Sequence, residues 1–242
     1  CAEETIREEF MTRLIETIYT MPYWDEVRFD GFPDAYVRTL ISTIPNAKVF
    51  RRQCYCHDLK AAREIGDTPL RQLGKSTSNS LRYNLNSFPD LRVEWSENPE
   101  EAHAVYEEMV TLHQARWESV GKRGVYASQR FLEFHRALID RLVPLGKLAF
   151  IRVTSEGGTV GCNQVFLDGP RVLNYQCGRV AYQGKLSPGL VVDYLSIDES
   201  MKRGYDTWDF MAGESFHKRR LSTDHESLTW ICLRRPRIKY VV

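Results

Sequence analysis

Apolar and polar residues alternate along this chain with periods that name its elements. Ile6, Phe10, Leu14 and Ile18 recur every fourth residue and predict an amphipathic helix that Pro22 ends. A second helix is expected from Pro33 through Leu40 to Ile44, then a strand over residues 48–56 (KVFRRQCYC). Residues 67–88 form a Ser/Asn-rich stretch with a short helix around Leu81 and Leu85.

From Leu91 the pattern is firmer. A short strand, LRVEW, runs into Asn98-Pro99-Glu100-Glu101, in which Asn98 can cap a helix, Pro99 suits its first position and Glu101 can close a capping box. That helix is expected to reach about Val120. Another starts near Ser128, with Phe131, Phe134, Leu138 and Leu142 on one face. The period then changes to two. Residues 147–154, 159–167 and 171–177 read as strands joined by tight Gly-containing turns, and such sequential hairpins imply an antiparallel meander. The loop GRVAYQGKLSPG leads into a helix from Pro188 to Arg203, which Gly204 closes. A strand over 206–211, a basic loop or short helix (GESFHKRRLS) and a strand near 226–233 complete the order.

Composition adds bounds. The 242 residues are 43% hydrophobic and 27% charged, which excludes collagen-like, low-complexity and wholly disordered classes. The formal charge of +1 averages an acidic head, with nine acids and three bases in residues 1–35, and a basic tail, with seven bases and three acids in 214–242. No apolar run approaches the roughly 18 to 20 residues that span a bilayer. The chain opens on Cys1 rather than Met, so its natural start is expected to be missing. Six scattered cysteines are sparse for a disulfide scaffold, and reduced thiols in the cytoplasm are the expectation.

The Ser187-Pro188-Gly189 helix start is the first candidate site. Free N–H groups at a helix N-terminus, a Ser hydroxyl, a Gly that permits close approach and nearby Lys185 together suit a pyrophosphate; the plain alternative is a cap and turn. His113 and Trp117 share a helix face with Arg116 beside them, and they either wall a pocket or pack in the core. Lys218, Arg219 and Arg220 either bind an anion or form a solvated face. Cys54, Cys56 and His57 lack a second ligand pair, so no zinc site is expected. Cys162 and Cys177 read as small buried hydrophobes in strands.

Taken with this element order, the strings L-H-Q-A-R-W (112–117), L-S-P-G-L (186–190) and D-F-x-x-G-E-x-x-x-K-R-R (209–220) resemble the Fem-like and CelD-type branch of the GNAT acyltransferases. Gly74 to Leu85 is similar to a segment that precedes the core in that branch. The resemblance implies an α/β (α+β) fold with a mixed, mostly antiparallel sheet flanked by helices. It also implies a GNAT-like domain over 67–242, behind a partial lobe over 1–66. It further implies an acyl-CoA or acetyl-CoA co-substrate without a metal. Its pyrophosphate would lie at Lys185, Leu186, Ser187, Gly189 and Leu190, and its thioester carbonyl against the strand at Tyr175, Gln176 and Cys177. Acyl transfer to an amine needs a base and a proton for the leaving thiolate. Glu214 and His217 are the expected bases and Tyr182 and Tyr194 the expected acids, with His113, Arg116, Trp117 and Lys218 toward the acceptor. Ser215 and His217 stand where the family pattern has a second acid and a Tyr.

The function implied is N-acyl transfer by direct attack on a small amine, amino acid or amino sugar. The alternatives are an aminoacyl-tRNA- or acyl-carrier-protein-dependent transferase and a non-catalytic interaction domain of the same fold.

Overall fold

The computed structural model describes residues 2–33, 37, 41, 47–66, 68–181, 184 and 186–235. In chain order the first elements are α1 (Ala2–Thr20), β1 (Glu26–Pro33), β2 (Lys48–Asp58), α2 (Leu59–Glu64), α3 (Pro69–Gln72), α4 (Lys75–Asn86), β3 (Arg92–Trp95) and α5 (Pro99–Ser119). They continue with a 3-10 turn (Val125–Ala127), α6 (Gln129–Leu142), β4 (Leu148–Ser155), β5 (Gly158–Asp168) and β6 (Arg171–Arg179). The last are α7 (Pro188–Lys202), β7 (Thr207–Ala212), α8 (Phe216–Leu221) and β8 (Asp224–Arg234). The expected helix over 33–44 lies mostly outside the described residues, with Val37 and Ile41 helical within it.

Two compact units are present, one made of Cys1–Cys54, Ala212–Glu214 and His225–Val242, the other of Tyr55–Met211 and Ser215–Asp224. In the first, β1 pairs antiparallel with β8, and Gly31 at a φ of 77° takes up a register shift between Phe29 and Phe32. Val27, Phe29, Ile231 and Leu233 share a core with Met11, Ile15 and Ile18 of α1. Ile6 and Phe10 are instead exposed, because a strict four-residue spacing drifts around a helix of 3.6 residues per turn.

The second unit holds the strand order β7-β6-β5-β4-β3 and the last four residues of β2, Tyr55–Asp58; β3, β4, β5 and β6 pair antiparallel and β6 pairs parallel with β7. Helices cover both faces. Leu148 and Phe150 of β4 pack with Val105, Tyr106 and Met109 of α5 and Ile139 of α6, whereas Ala149 and Ile151 pack with Leu190 and Ile197 of α7. Burial on both sides explains why this strand reads as a continuous apolar run. Burying each of Phe150 and Ile151, both at 0% exposure, contributes about 1.5–3 kcal/mol. Asn98 caps α5 by accepting from Glu101 N–H at 2.9 Å, while the Glu101 carboxylate reaches Glu97 N–H at 2.7 Å, one residue earlier than the expected capping box.

Candidate functional site

The site begins as an opening beside β6. Strand β6 pairs with β5 along its length, from Asp168–Arg171 to Gly161–Arg179, but with β7 only at Arg171–Thr207, Val172–Trp208 and Leu173–Asp209. Beyond Leu173, the edge of β6 that faces away from β5 has no ladder partner among the described residues, so its backbone groups face a gap. Tyr175 is an extra residue between the pairs Val165–Asn174 and Gln164–Gln176, and this bulge re-aims the side chains that follow it. Three residues on, a Cβ at Gly178 would lie 2.2 Å from Met109 O, so glycine lets the α5 backbone press against β6. That contact puts His113, one turn after Met109, beside the gap.

A buried ionic network forms one wall. The guanidinium of Arg179 donates to Asp193 Oδ1, to Asn163 Oδ1 at 3.2 Å and to Cys177 Sγ. Asn163 Nδ2 donates to Asp193 Oδ1 at 3.2 Å and to Ser196 Oγ at 3.0 Å. The second carboxylate oxygen of Asp193 holds His217 Nε2. Burial pushes the Asp193 carboxyl up, but the charge of Arg179 and the contact with His217 outweigh it and hold the group at about 2. Burial works to lower the Arg179 value; Asp193 and Cys177 reverse this, and the guanidinium stays charged. An ionised Asp193 accepts a hydrogen bond from Nε2–H, which fixes the His217 tautomer and leaves Nδ1 as the basic nitrogen. Helix α8 is short and is capped by the Ser215 side chain, which accepts from Lys218 N–H at 3.2 Å and orients the turn that carries His217.

The helix start behind this wall adds one further donor. Ser187 N–H already donates to Asn84 Oδ1 at 2.5 Å, and Pro188 has no N–H. Gly189 N–H is the next one in the turn, and a Cβ there would meet Arg179 Cδ at 3.0 Å. Arg179 Nε is buried and has no partner among the described residues. Gly189 thus lies against the Arg179 side chain, with the buried Nε–H beside the start of α7.

A cavity of about 400 Å³ joins these groups. Gln176, Cys177, Arg179 and Gly189 line one part of it, His113, Arg116 and Trp117 of α5 another, and Ser215 and His217 the rest. Trp117 Nε1 donates to His113 Nε2 at 2.9 Å, and burial holds the His113 pKa down, which keeps the ring neutral as the acceptor. The three strings read from the sequence thus converge on one cavity.

Other expected residues lie elsewhere. Tyr194 is in the apolar core at 7% exposure, its hydroxyl pKa pushed up by burial to about 12. Leu190 is also in that core, and Leu186 lines a separate cavity of about 200 Å³ together with Phe88 and Val160. The Tyr175 ring packs 5.2 Å from Phe166 and 5.6 Å from His135. Lys218 Nζ donates to Met211 O at 3.1 Å, and Glu214 is exposed; neither lines the cavity. Tyr182 and Lys185 lie outside the described residues. His57 is a structural histidine whose ring nitrogens reach Leu221 O at 2.6 Å and Gln72 Oε1 at 2.7 Å. Cys162 is buried and its thiol is pushed up to about 12, whereas Cys177 opens on the cavity, unlike the buried hydrophobe expected from the sequence.

Asp193, Arg179 and Asn163 were not expected from the sequence. The available signal was a lone acid inside the apolar helix stretch Leu190-Val191-Val192-Asp193-Tyr194, since a charge at a buried position requires a partner.

With this geometry in hand, the comparisons with known proteins are decisive for family. A model of the acetyltransferase (GNAT) domain matches residues 75–219, which includes every lining residue of the cavity. The chain belongs to the GNAT acetyltransferase family. This GNAT protein also resembles solved structures at low identity. FemX aligns with a TM-score of 0.64 at 10% identity, covering 93% of this chain and 76% of that one. The C-terminal domain (DUF2156) of a putative lysylphosphatidylglycerol synthetase from Agrobacterium fabrum aligns at 0.60 and 9%, covering 86% and 67%. The L-PGS of Bacillus licheniformis aligns at 0.58 and 11%, covering 88% and 69%. These likenesses show the shared fold. No curated protein matches the sequence. Among the described residues, no helix is long and apolar enough to cross a membrane.

Proposed function

We propose that this GNAT acyltransferase moves an acyl group from an acyl-CoA thioester to the amine of a small molecule within the 400 Å³ cavity, by direct attack with both substrates bound. The observation that carries the reading is the His217–Asp193 pair, set on the wall of a cavity that the unpaired edge of β6 also faces. The gap between β6 and β7 suits the extended arm of the donor. Its thioester carbonyl would accept from N–H groups of β6 beyond Leu173, which stabilise the oxyanion as the amine adds. Gly189 N–H and Arg179 Nε–H suit a phosphate of the donor.

His217 Nδ1 takes the proton that the attacking amine loses. Asp193 is a positioning residue: it fixes the ring and stabilises the imidazolium that forms. Collapse of the tetrahedral adduct expels the thiolate, which takes up a proton from the imidazolium or from water. Glu214 has no part in this reading, because it does not line the cavity. The branch of the family, Fem-like or CelD-type, belongs to the proposal as well, on the strength of the three converging strings.

The test is release of free thiol from acetyl-CoA and longer acyl-CoAs in the presence of a panel of amines. Wild-type protein should release thiol in an amine-dependent manner, and His217→Gln should lower kcat by about 10²-fold or more with donor binding intact. Amine-independent release, or full activity of His217→Gln, counts against the assignment.

A further inference from the structure

The walls of the cavity carry one sign of charge. The charges are those of Arg116 and Arg179; the His113 ring, held neutral by burial, and the His217 ring line it too, and no Asp or Glu does. Behind the wall, the Asp193 carboxylate has Oδ1 held by Arg179 and Asn163 and Oδ2 held by His217. At 2% exposure, and outside the cavity lining, it is out of reach of an ammonium ion. The charge of Arg179 is in turn balanced by Asp193. Arg116 differs: it is exposed on α5 next to Trp117, and it has no carboxylate partner among the described residues. The cavity therefore holds one uncompensated guanidinium and no carboxylate to pair with a simple aliphatic amine, which enters from water as its ammonium ion.

These facts select the acceptor. Positive walls disfavour the ammonium form of a bound amine and lower its pKa, which helps to produce the neutral nucleophile. The same walls attract an anionic group elsewhere on the molecule, and a guanidinium on an exposed helix face can take a carboxylate or phosphate through two parallel N–H bonds. Resting on the acyl-transfer reading above, we propose that the acceptor is an amine that also carries a negatively charged group, and that Arg116 pairs with that group. Arg116 is then the residue that sets acceptor specificity, while His217 handles the proton.

The test uses paired acceptors with and without an anionic group: 4-aminobutyrate against the near-isosteric 4-aminobutanamide, and glucosamine 6-phosphate against glucosamine. Binding is followed through the Trp117 indole N–H resonance, which Trp117→Phe assigns, and transfer through thiol release from acetyl-CoA. The acidic member of at least one pair should shift the resonance and exceed its neutral partner by tenfold or more in kcat/KM. Arg116→Gln should bring the ratio toward one, Arg116→Lys should keep part of it, and the donor KM should stay unchanged in both.

Equal response to acidic and neutral members, or no response to any of them, overturns the acceptor proposal. A rise in donor KM rather than acceptor KM in Arg116→Gln would assign Arg116 to the phosphates of the donor and also overturn it. Failure of the transfer reading looks different: acetyl-CoA would not bind at all, while the charge preference at the Trp117 resonance would still be measured.

Discussion

Replacing Asp193 with Asn removes one charge and almost no volume, and it should damage both stability and turnover. Asp193 is 2% exposed and Arg179 is 11% exposed, so the variant leaves a guanidinium buried without its counter-ion. Holding the carboxyl at about 2 rather than the ordinary 3.8 is worth roughly 2 kcal/mol at neutral pH by linkage. Stranding the buried cation is costlier, about 3–5 kcal/mol in comparable pairs. The expected loss is therefore about 3 kcal/mol, a fall in Tm of roughly 6–12 °C for a chain of this length. Urea unfolding monitored by tryptophan fluorescence reads the first effect. A double-mutant cycle separates it from generic damage: Arg179→Met in the Asp193→Asn background removes the stranded charge and should recover at least about 2 kcal/mol. The kcat for acyl transfer should fall by about 10²-fold, because the His217 ring loses the carboxylate that fixes its tautomer. If Asp193→Asn is within about 0.5 kcal/mol of wild type, or if the two substitutions are additive, the network is not the stabilising unit described here.

Other predictions follow from single contacts. Gly178→Ala places a methyl group where Met109 O stands, 2.2 Å away, and should cost about 2–3 kcal/mol by thermal unfolding; a neutral effect would mean that α5 is free to move off β6. The pKa values of His57, His113 and His135 are all lowered by burial from 6.5, so below pH 6.5 the unfolded chain binds more protons than the folded one. Stability in urea should be full above pH 6.5 and fall as the pH drops below it, with a shallower slope in His135→Asn; a flat profile between pH 7.5 and 5.5 would contradict this. Asp193 adds a second acid loss between about pH 4 and 2, since its folded pKa lies below the unfolded one. Cys177→Ala should keep turnover within a few-fold of wild type, because direct attack needs no acyl-enzyme; a labelled Cys177 peptide after incubation with acyl-CoA alone would show a covalent route instead.

Much of the second unit was legible in the sequence because its elements carry their own signals. The Asn98 cap, the change of period after residue 147 and the glycine at 204 each act locally, and the strands and helices stand where these place them. Strand β1 was missed: Asp30, Gly31 and Pro33 interrupt its alternation, and the sequence carried no element between Pro22 and Pro33. Its pairing with β8 joins residues some 200 positions apart, which no local pattern encodes. The site was legible in part for the same reason. His113, Arg116, Trp117, Gly189 and His217 came from short strings, and the cavity gathers all of them. Arg179, Asp193 and Asn163 come from three elements, and only the packing of α7 on β5 and β6 makes them one network. Tyr194 went the other way, because its hydroxyl suggested chemistry while its position on the apolar face of α7 put it in the core.

The central claim is that the opening beside β6 receives an acyl-CoA thioester. Calorimetric titration of acetyl-CoA into wild-type protein and Gly189→Val tests it most directly, since Gly189 is where the donor phosphate and the Arg179 side chain would meet. Saturable binding of one equivalent, lost or weakened at least tenfold in a Gly189→Val protein that unfolds as cooperatively as wild type, is the predicted result. No heat of binding with acetyl-CoA or longer acyl-CoAs, or equal affinity in the variant, would contradict the account.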